Sequence, residues 1–230
     1  EGEPELHFPP LIPVLLGGAA EVFGDPLTGL VVVTIVTGTL ALVPLAGVGR
    51  FLGGDRSGLA VAWVGALCPA LATVASNQGG GSEGPYLLLV LSGLWLALLT
   101  TRRRGAAAWA GALGAGLCTG LAYLMRPEGI FFAVVFVPVV AVGALGGVAA
   151  LRRRSGATRR WGAAAVLVAL FGVGLVACAG PYVDYLHTRT GSWQLTAKAR
   201  DASLDAWRAV AEHDRRARDQ IFYRLDDDRE

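Results

Sequence analysis

Residues 106–129 read AAAWAGALGAGLCTGLAYLMRPEG, and residues 130–151 continue as IFFAVVFVPVVAVGALGGVAAL. These are two apolar runs joined by Arg126, Pro127 and Glu128 with almost no loop between them. Runs of about 17 to 25 apolar residues are long enough to cross a bilayer as helices. Because proline ends one helix and can start the next, the stretch predicts two membrane helices joined by a tight turn at the membrane surface.

The same apolar pattern continues in both directions from this pair. It predicts six spans in total, at residues 27–48, 59–75, 86–99, 106–124, 129–151 and 162–179. The third span is short on its own and can be extended through Gly84 and Pro85, or into Thr100 and Thr101. Segment 11–23 is apolar but too short to span, and prolines and Glu21 interrupt or bound it, so we expect an interfacial or re-entrant helix that lies along the membrane surface.

The composition excludes most soluble classes of protein. Of the 230 residues, 53% are hydrophobic and 17% are charged, whereas a soluble domain is closer to a quarter charged. The 32 glycines suit membrane helices, because small residues let helix backbones approach closely. Disorder, a coiled coil and an ordinary cytosolic enzyme are therefore excluded. The predicted fold class is all-α, a polytopic transmembrane helical bundle.

The formal net charge of +2 hides a strong difference between the two sides of the predicted bundle. Ten arginines lie in three alternate connections, opposed only by Asp55: Arg50, Arg56, Arg102, Arg103, Arg104, Arg152, Arg153, Arg154, Arg159 and Arg160. Short arginine-rich loops stay in the cytoplasm. The other side carries acidic residues, with Arg126 as its one base before the tail: Glu1, Glu3, Glu5, Asp25, Glu83 and Glu128. Six spans then place both ends of the chain outside the cytoplasm.

Three regions follow from this topology. Residues 1–26 are expected to be the end of an outer loop with the surface helix, and residues 27–180 to be the six-span region. Residues 181–230 are expected to form a polar extracytoplasmic segment. The chain lacks an initial methionine and stops in a charged run, so we expect a fragment of a longer multi-pass protein.

Cysteine and histidine give no metal or disulfide signal. Cys68, Cys118 and Cys178 fall far apart within predicted spans, where a free cysteine packs like a small apolar residue. The histidines lack the paired spacings of a metal site.

Two polar residues at the outer ends of predicted spans need an explanation, because burying an unpaired ionisable group is expensive. Glu83 is either an acidic residue favoured by the helix dipole, or a carboxylate in a cleft that takes a proton or holds a cation. Arg126 is either paired with Glu128 in a capped hairpin, or presents its planar donor fork to an anionic headgroup. At residues 181–198, tyrosines and a tryptophan are either interfacial anchors or sugar-stacking platforms, with His187, Arg189 or Lys198 meeting phosphate.

The order of these elements resembles the C-type polytopic glycosyltransferases, specifically the dolichyl-phosphate-mannose protein mannosyltransferase-like family, which includes the lipid A aminoarabinose transferases. HFPPLIP at 7–13 resembles the family's HPPL-type segment, which closes its first outer loop, and FGDP at 23–26 resembles the step into its second span. SEGPYL at 82–87 stands where the family has an acidic residue before its fourth span. GLAYLMRPEG at 120–129 resembles the "GLA.LTRPEG" turn and is the most specific element, and residues 185–198 resemble the outer loop after the seventh span.

The resemblance implies a glycosyltransferase of the cell membrane that uses a polyprenyl-phosphate-linked sugar donor. A lipid, glycan or protein acceptor would arrive at the outer face, where a carboxylate removes its proton and positive groups stabilise the leaving phosphate. On this resemblance Glu83 has the catalytic carboxylate role and Arg126 the phosphate role. Further substrate contacts are assigned to Glu128, His7, His187 and Lys198.

One departure from the family pattern concerns its principal acidic residue, which lies upstream of the HPPL segment. Here only Glu1, Glu3 or Glu5 could belong to that loop, so the chain alone is expected to be inactive. No cofactor is assigned, a divalent cation stays open, and no nucleic acid is expected as a partner. A transporter or flippase and a non-catalytic membrane scaffold stay open as alternatives, although ionisable residues at span ends favour interfacial chemistry.

Overall fold

The computed structural model describes residues 9–69, 82–145 and 157–196, and within these ranges every regular element is helical. The helices are α1 (Leu11–Phe23), α2 (Pro26–Leu40), α3 (Leu42–Leu67), α4 (Glu83–Arg102), α5 (Ala106–Met125), the 3₁₀ turn Pro127–Phe131, α6 (Phe132–Ala144) and α7 (Ala157–Thr190). In the described ranges, five helical stretches are long and apolar enough to cross a membrane: Pro26–Leu67, Glu83–Arg102, Ala106–Met125, Pro127–Ala144 and Trp161–Thr190. The predicted transmembrane helical fold is confirmed, and the protein is an integral membrane protein.

The first of these stretches reverses direction at Gly54, which has a left-handed backbone (φ 81°, ψ −171°). A Cβ placed on Gly58 would lie 2.9 Å from the carbonyl oxygen of Ala46, although twelve residues of straight helix span about 18 Å. The stretch is therefore a helical hairpin, and five stretches correspond to six predicted spans because the first two are joined. The end of the second predicted span, from residue 70, lies outside the described residues.

The later helices follow the predicted spans with shifted ends. Helix α4 extends in both of the directions that its short apolar run allowed, from Glu83 to Arg102. Helix α7 continues past Ala179, the predicted end of the sixth span, to Thr190 with Pro181 inside it. Proline is tolerated in membrane helices because other groups can satisfy the freed backbone carbonyl.

Helix α5 lies at the centre of the bundle and is lined with small side chains. Its Ala108, Ala112 and Ala115 belong to a buried cluster with Ala97 of α4, Phe136 and Val140 of α6, and Leu167 and Phe171 of α7. Gly116 lies directly against the backbone of Phe171, and a Cβ on Gly111 would lie 3.3 Å from the carbonyl oxygen of Leu96. Small residues thus let α4 and α7 approach α5 closely, which is how membrane helices gain packing energy.

The two ends of α4 lie in different chemical surroundings. At its C-terminus the guanidinium of Arg102 donates a hydrogen bond to the carbonyl oxygen of Phe51 at 2.5 Å. The guanidinium carbon lies 3.9 Å from the centroid of the Phe51 aromatic ring. The first two arginine-rich connections are therefore at the same end of the bundle, as predicted. The N-terminus of α4, at Glu83, is about 30 Å away along a helix of 20 residues.

The described chain belongs to two compact units. Residues from Pro9 to Tyr182 form one unit, and those from Val183 onward belong to the other.

Candidate functional site

Helix α4 begins at a position fixed by close backbone packing. A Cβ placed on Gly84 would lie 2.7 Å from the carbonyl oxygen of Thr34 and 2.9 Å from the Thr37 hydroxyl, both on α2. Glycine is therefore required for α4 to start this close to α2. Because Ser82 and Glu83 directly precede Gly84, their backbone is held in a defined place.

The turn after α5 follows from the order Arg126-Pro127-Glu128-Gly129. Arg126 is extended (φ −146°, ψ 132°), as expected for a residue before proline, and Pro127 starts the 3₁₀ turn. Gly129 is buried, and a Cβ there would lie 2.5 Å from the backbone nitrogen of Tyr123. The predicted tight turn is confirmed, and it leaves the Arg126 side chain projecting from the end of α5.

The Arg126 guanidinium joins this turn to the start of α4. Its Nη2 forms an ion pair with Oε1 of Glu83, and its Nε–H donates to Oγ of Ser82 at 2.8 Å. The guanidinium carbon also lies 5.8 Å from the ring centroid of Tyr86. Arg126 therefore pairs with Glu83, 43 residues away in sequence, and Glu128 is exposed instead of forming the capped-hairpin pair that the sequence left open.

The two carboxylate oxygens of Glu83 differ in their hydrogen bonding. In the part of the chain that the structure describes, Oε2 is buried and has no hydrogen-bond partner. A buried acceptor without a donor costs roughly 1–3 kcal/mol, more when it is charged. The Glu83 side chain is 19% exposed and that of Arg126 is 38% exposed, so a ligand reaches the pair chiefly at the guanidinium, while Oε2 itself is covered.

The remaining predicted site residues do not join this cluster in the described structure. Glu128 lies on the exposed surface of the 3₁₀ turn. His187 belongs to the unit that begins at Val183, where it stacks on Trp193 with ring centroids 4.0 Å apart and an angle of 8°. Its Nδ1 is buried without a hydrogen-bond partner among the described residues. His7 and Lys198 lie outside the described residues.

Sequence reasoning missed two members of the cluster, Ser82 and Tyr86. Both are in the SEGPYL motif that pointed to Glu83. One local signal was available for Ser82: Pro85, three residues later, lacks one of the two N–H groups that a capping serine can bond. Tyr86 had no such signal, because its place beside Arg126 depends on how α4 and α5 pair.

Asp25, in the FGDP motif, has a structural role at the start of α2. Its carboxylate accepts hydrogen bonds from the backbone N–H of Thr28 at 2.7 Å and from the Thr28 hydroxyl at 2.8 Å. These bonds, chiefly the backbone one, hold the pKa of Asp25 below its usual value. Asp25 is thus the N-cap of α2, followed by Pro26 at the first helical position.

Carboxylate and imidazole groups do not assemble into a metal site in the described ranges. No group of three or more His, Cys, Asp or Glu residues there is arranged to hold a metal ion.

A comparison with protein-family models matches residues 7–177 to the family described as dolichyl-phosphate-mannose-protein mannosyltransferase. The chain belongs to this family. The mannosyltransferase family comprises membrane glycosyltransferases that use lipid-linked sugar donors, so the match confirms the resemblance drawn from the motifs. No curated protein and no solved structure matches the chain. The matched region contains Glu83 and Arg126 and ends before His187 and Lys198.

Proposed function

We propose that this member of the mannosyltransferase family transfers a sugar from a polyprenyl-phosphate-linked donor to an acceptor at the outer face of the cell membrane. The observation that carries the proposal is the Glu83–Arg126 pair, with Oε2 of Glu83 buried and without a partner in the described structure. A carboxylate and a guanidinium from two distant segments meet at one end of the bundle. Oε2 of that carboxylate can accept a hydrogen bond from a substrate hydroxyl.

Glu83 acts on the acceptor through its unpartnered oxygen. Oε2 takes the proton of the acceptor hydroxyl, and the hydroxyl oxygen forms a bond to the anomeric carbon of the donor sugar. The bond between that carbon and the phosphate oxygen breaks, and its electron pair leaves with the lipid phosphate. Because Oε1 is held by Arg126, proton transfer is assigned to Oε2.

Arg126 stabilises the negative charge that develops on the lipid phosphate. An arginine side chain carries five N–H donors in a fixed planar fork, which suits phosphate oxygens. The described contacts to Ser82 and Glu83 use Nε and Nη2, on one side of the fork. Preorganised donors of this kind stabilise the developing charge of a transition state most strongly in a site from which water is excluded.

The outer face is proposed from the charges at the two ends of the bundle. Arg102 contacts Phe51, beside Arg50 and Arg56, at the end opposite to Glu83. Arginine-rich loops stay in the cytoplasm, so the Glu83–Arg126 pair faces outward. There it can meet a donor that arrives within the lipid layer and a lipid, glycan or protein acceptor.

The other substrate contacts in the proposal come from the sequence. Glu128 is exposed, two residues after Arg126 in the chain, and can hydrogen-bond a sugar hydroxyl. His7, His187 and Lys198 are proposed as further contacts to the phosphate or the acceptor.

Substitution of the pair tests the proposal. In the intact protein, Glu83→Gln and Arg126→Ala should each lower transfer of the lipid-linked sugar by about 100-fold or more. The measurement is the rate of product formation from a polyprenyl-phosphate sugar in proteoliposomes. Glu21→Gln, on the exposed surface of α1, and Arg103→Ala, at the opposite end of the bundle, are the matched controls and should keep full activity.

A second comparison distinguishes a catalytic role of the Glu83–Arg126 pair from a purely structural one, in which the pair only holds α4 against the Arg126 turn. The double variant Glu83→Gln/Arg126→Gln replaces the ion pair by two neutral amides that can still hydrogen-bond. It should approach the thermal stability of the unmodified protein while remaining inactive. Unchanged turnover in both single variants would contradict the assignment of Glu83 and Arg126 to the active site.

A further inference from the structure

Ser82 stands at the N-cap of α4 but does not cap the helix. Its backbone is helical (φ −89°, ψ −16°), and its side chain makes no capping hydrogen bond. A capping serine bonds the N–H of the second or third helical residue, and the third residue of α4 is Pro85, which has none. The N–H of Gly84, the second helical residue, receives no bond from the Ser82 side chain either, so the hydroxyl of Ser82 is available for another partner.

That partner is Arg126. Oγ of Ser82 accepts the Nε–H of Arg126 at 2.8 Å, and Ser82 is only 5% exposed. Gly84 locks the start of α4 against α2, so the hydroxyl is presented from a fixed backbone. This hydrogen bond has a charged donor, and such bonds contribute more than those between two neutral groups.

The two bonds together determine the orientation of the guanidinium. Glu83 alone, through Nη2, would let the planar group rotate about one contact, whereas the second bond at Nε fixes its plane. The direction of the remaining N–H groups then follows from the rigid fork.

We propose that Ser82 is a positioning residue that orients the Arg126 guanidinium for the phosphate of the donor. The inference rests on the proposed function of Arg126 and adds a second residue to it. Ser82 itself touches neither the sugar nor the phosphate. Its removal should therefore affect the donor and leave the acceptor unaffected.

Kinetics with the intact protein in proteoliposomes test this role. Ser82→Ala should lower kcat/KM for the lipid-linked donor about tenfold, the usual scale for loss of one hydrogen bond to a charged group. The KM for the acceptor should stay unchanged. Ser82→Thr, which keeps the hydroxyl, should recover most of the activity, whereas Ser82→Cys, with a sulfur that is a weak acceptor, should resemble Ser82→Ala.

The decisive comparison measures the effect of Ser82→Ala in a protein that also carries Arg126→Lys. Lysine has a single ammonium group and no Nε–H fork for Ser82 to orient. Ser82→Ala should therefore cause no further loss of kcat/KM in the Arg126→Lys protein, although it costs about tenfold in the unmodified one. A merely structural contact would instead lower the thermal stability and the amount of protein in the membrane, with kcat/KM per folded molecule unchanged.

The possible failures are distinguishable. If Arg126→Ala lowers activity while Ser82→Ala matches the unmodified protein, the positioning role is wrong and the proposed function stands. An equal loss in both backgrounds also overturns the positioning role. If Arg126→Ala is fully active, the proposed function itself is wrong. Should Ser82→Ala not accumulate in membranes, the comparison of Ser82→Thr with Ser82→Cys decides the same question.

Discussion

Gly129 lies where the Arg126 turn packs most closely against α5. A Cβ at this position would contact the backbone of Ala122 and would lie 2.5 Å from the nitrogen of Tyr123. These neighbours are helix backbone atoms, so they cannot move aside as a flexible side chain could. The shape of the turn, and with it the place of Arg126, depends on the absence of a side chain at residue 129.

Gly129→Ala should therefore lower the stability by about 1–3 kcal/mol, the usual cost of an inserted methyl group in a packed site. It should also reduce sugar transfer, because the turn that carries Arg126 must shift. Thermal unfolding in detergent and the transfer assay measure the two effects. The control is Gly172→Ala on α7, where a Cβ has nothing within 4 Å and stability should hold or rise slightly. Equal unfolding temperatures for the two variants would contradict the packing argument.

At the scale of the element, α2 begins at a carboxylate whose ionisation matters. The folded-state pKa of Asp25 is below its ordinary value of 3.8, chiefly because of the Thr28 backbone N–H. A group with a lowered folded pKa contributes stability above its unfolded pKa and loses it as the pH falls through the folded value. The contribution of this cap should thus be complete at neutral pH and should disappear below pH 3.8.

The prediction compares thermal unfolding of the unmodified protein and Asp25→Ala across this range. The variant should unfold at a lower temperature at pH 7, and the difference should shrink as the pH falls below 3.8. Thr28→Val, which removes only the hydroxyl donor, should have a smaller effect because the backbone N–H remains. A constant difference at all pH values would show that ionisation of Asp25 is irrelevant to the cap.

The helices themselves could be predicted from the sequence because apolar run length and proline placement are local properties. The helix Leu11–Phe23 has the predicted bounds, and the turn at Arg126 has its predicted tightness. The end of α7 could not be predicted, since the apolar run stops at Ala179 whereas the helix continues into the polar segment with Pro181 inside it. The Glu83–Arg126 contact could not be predicted either, because the short apolar run at 86–99 left the start of α4 open.

At the scale of the whole molecule, the two ends of the bundle differ in charge and should differ in exposure to the medium. Arg102 and the α3 hairpin define one end, and the Glu83–Arg126 pair lies about 30 Å away at the other end of the 20-residue α4. The proposed reaction requires the second end to be outside the cytoplasm. This sidedness can be tested without any activity.

Single cysteines provide that test once Cys68, Cys118 and Cys178 have been replaced by alanine. A cysteine at exposed Glu128 should react with a membrane-impermeant maleimide in intact cells, whereas a cysteine at exposed Arg104 should react only after the cells are opened. Labelling in the reverse order would overturn the topology and the proposed outer face together.

Helices α4 and α5 have 20 residues each and are joined by residues 103–105. Glu83 stands at the open end of one and Arg126 just beyond the open end of the other, so the pair meets only while the two lengths match. One residue gained or lost in either helix would turn its end by about 100° and shift it by about 1.5 Å. Substitutions by other apolar residues are thus tolerated at the lipid-facing positions of the α4–α5 hairpin, whereas insertions and deletions within it are not. Among family members that have this site, the number of residues between Glu83 and Arg126 should therefore be more strictly conserved than the amino acids at those positions.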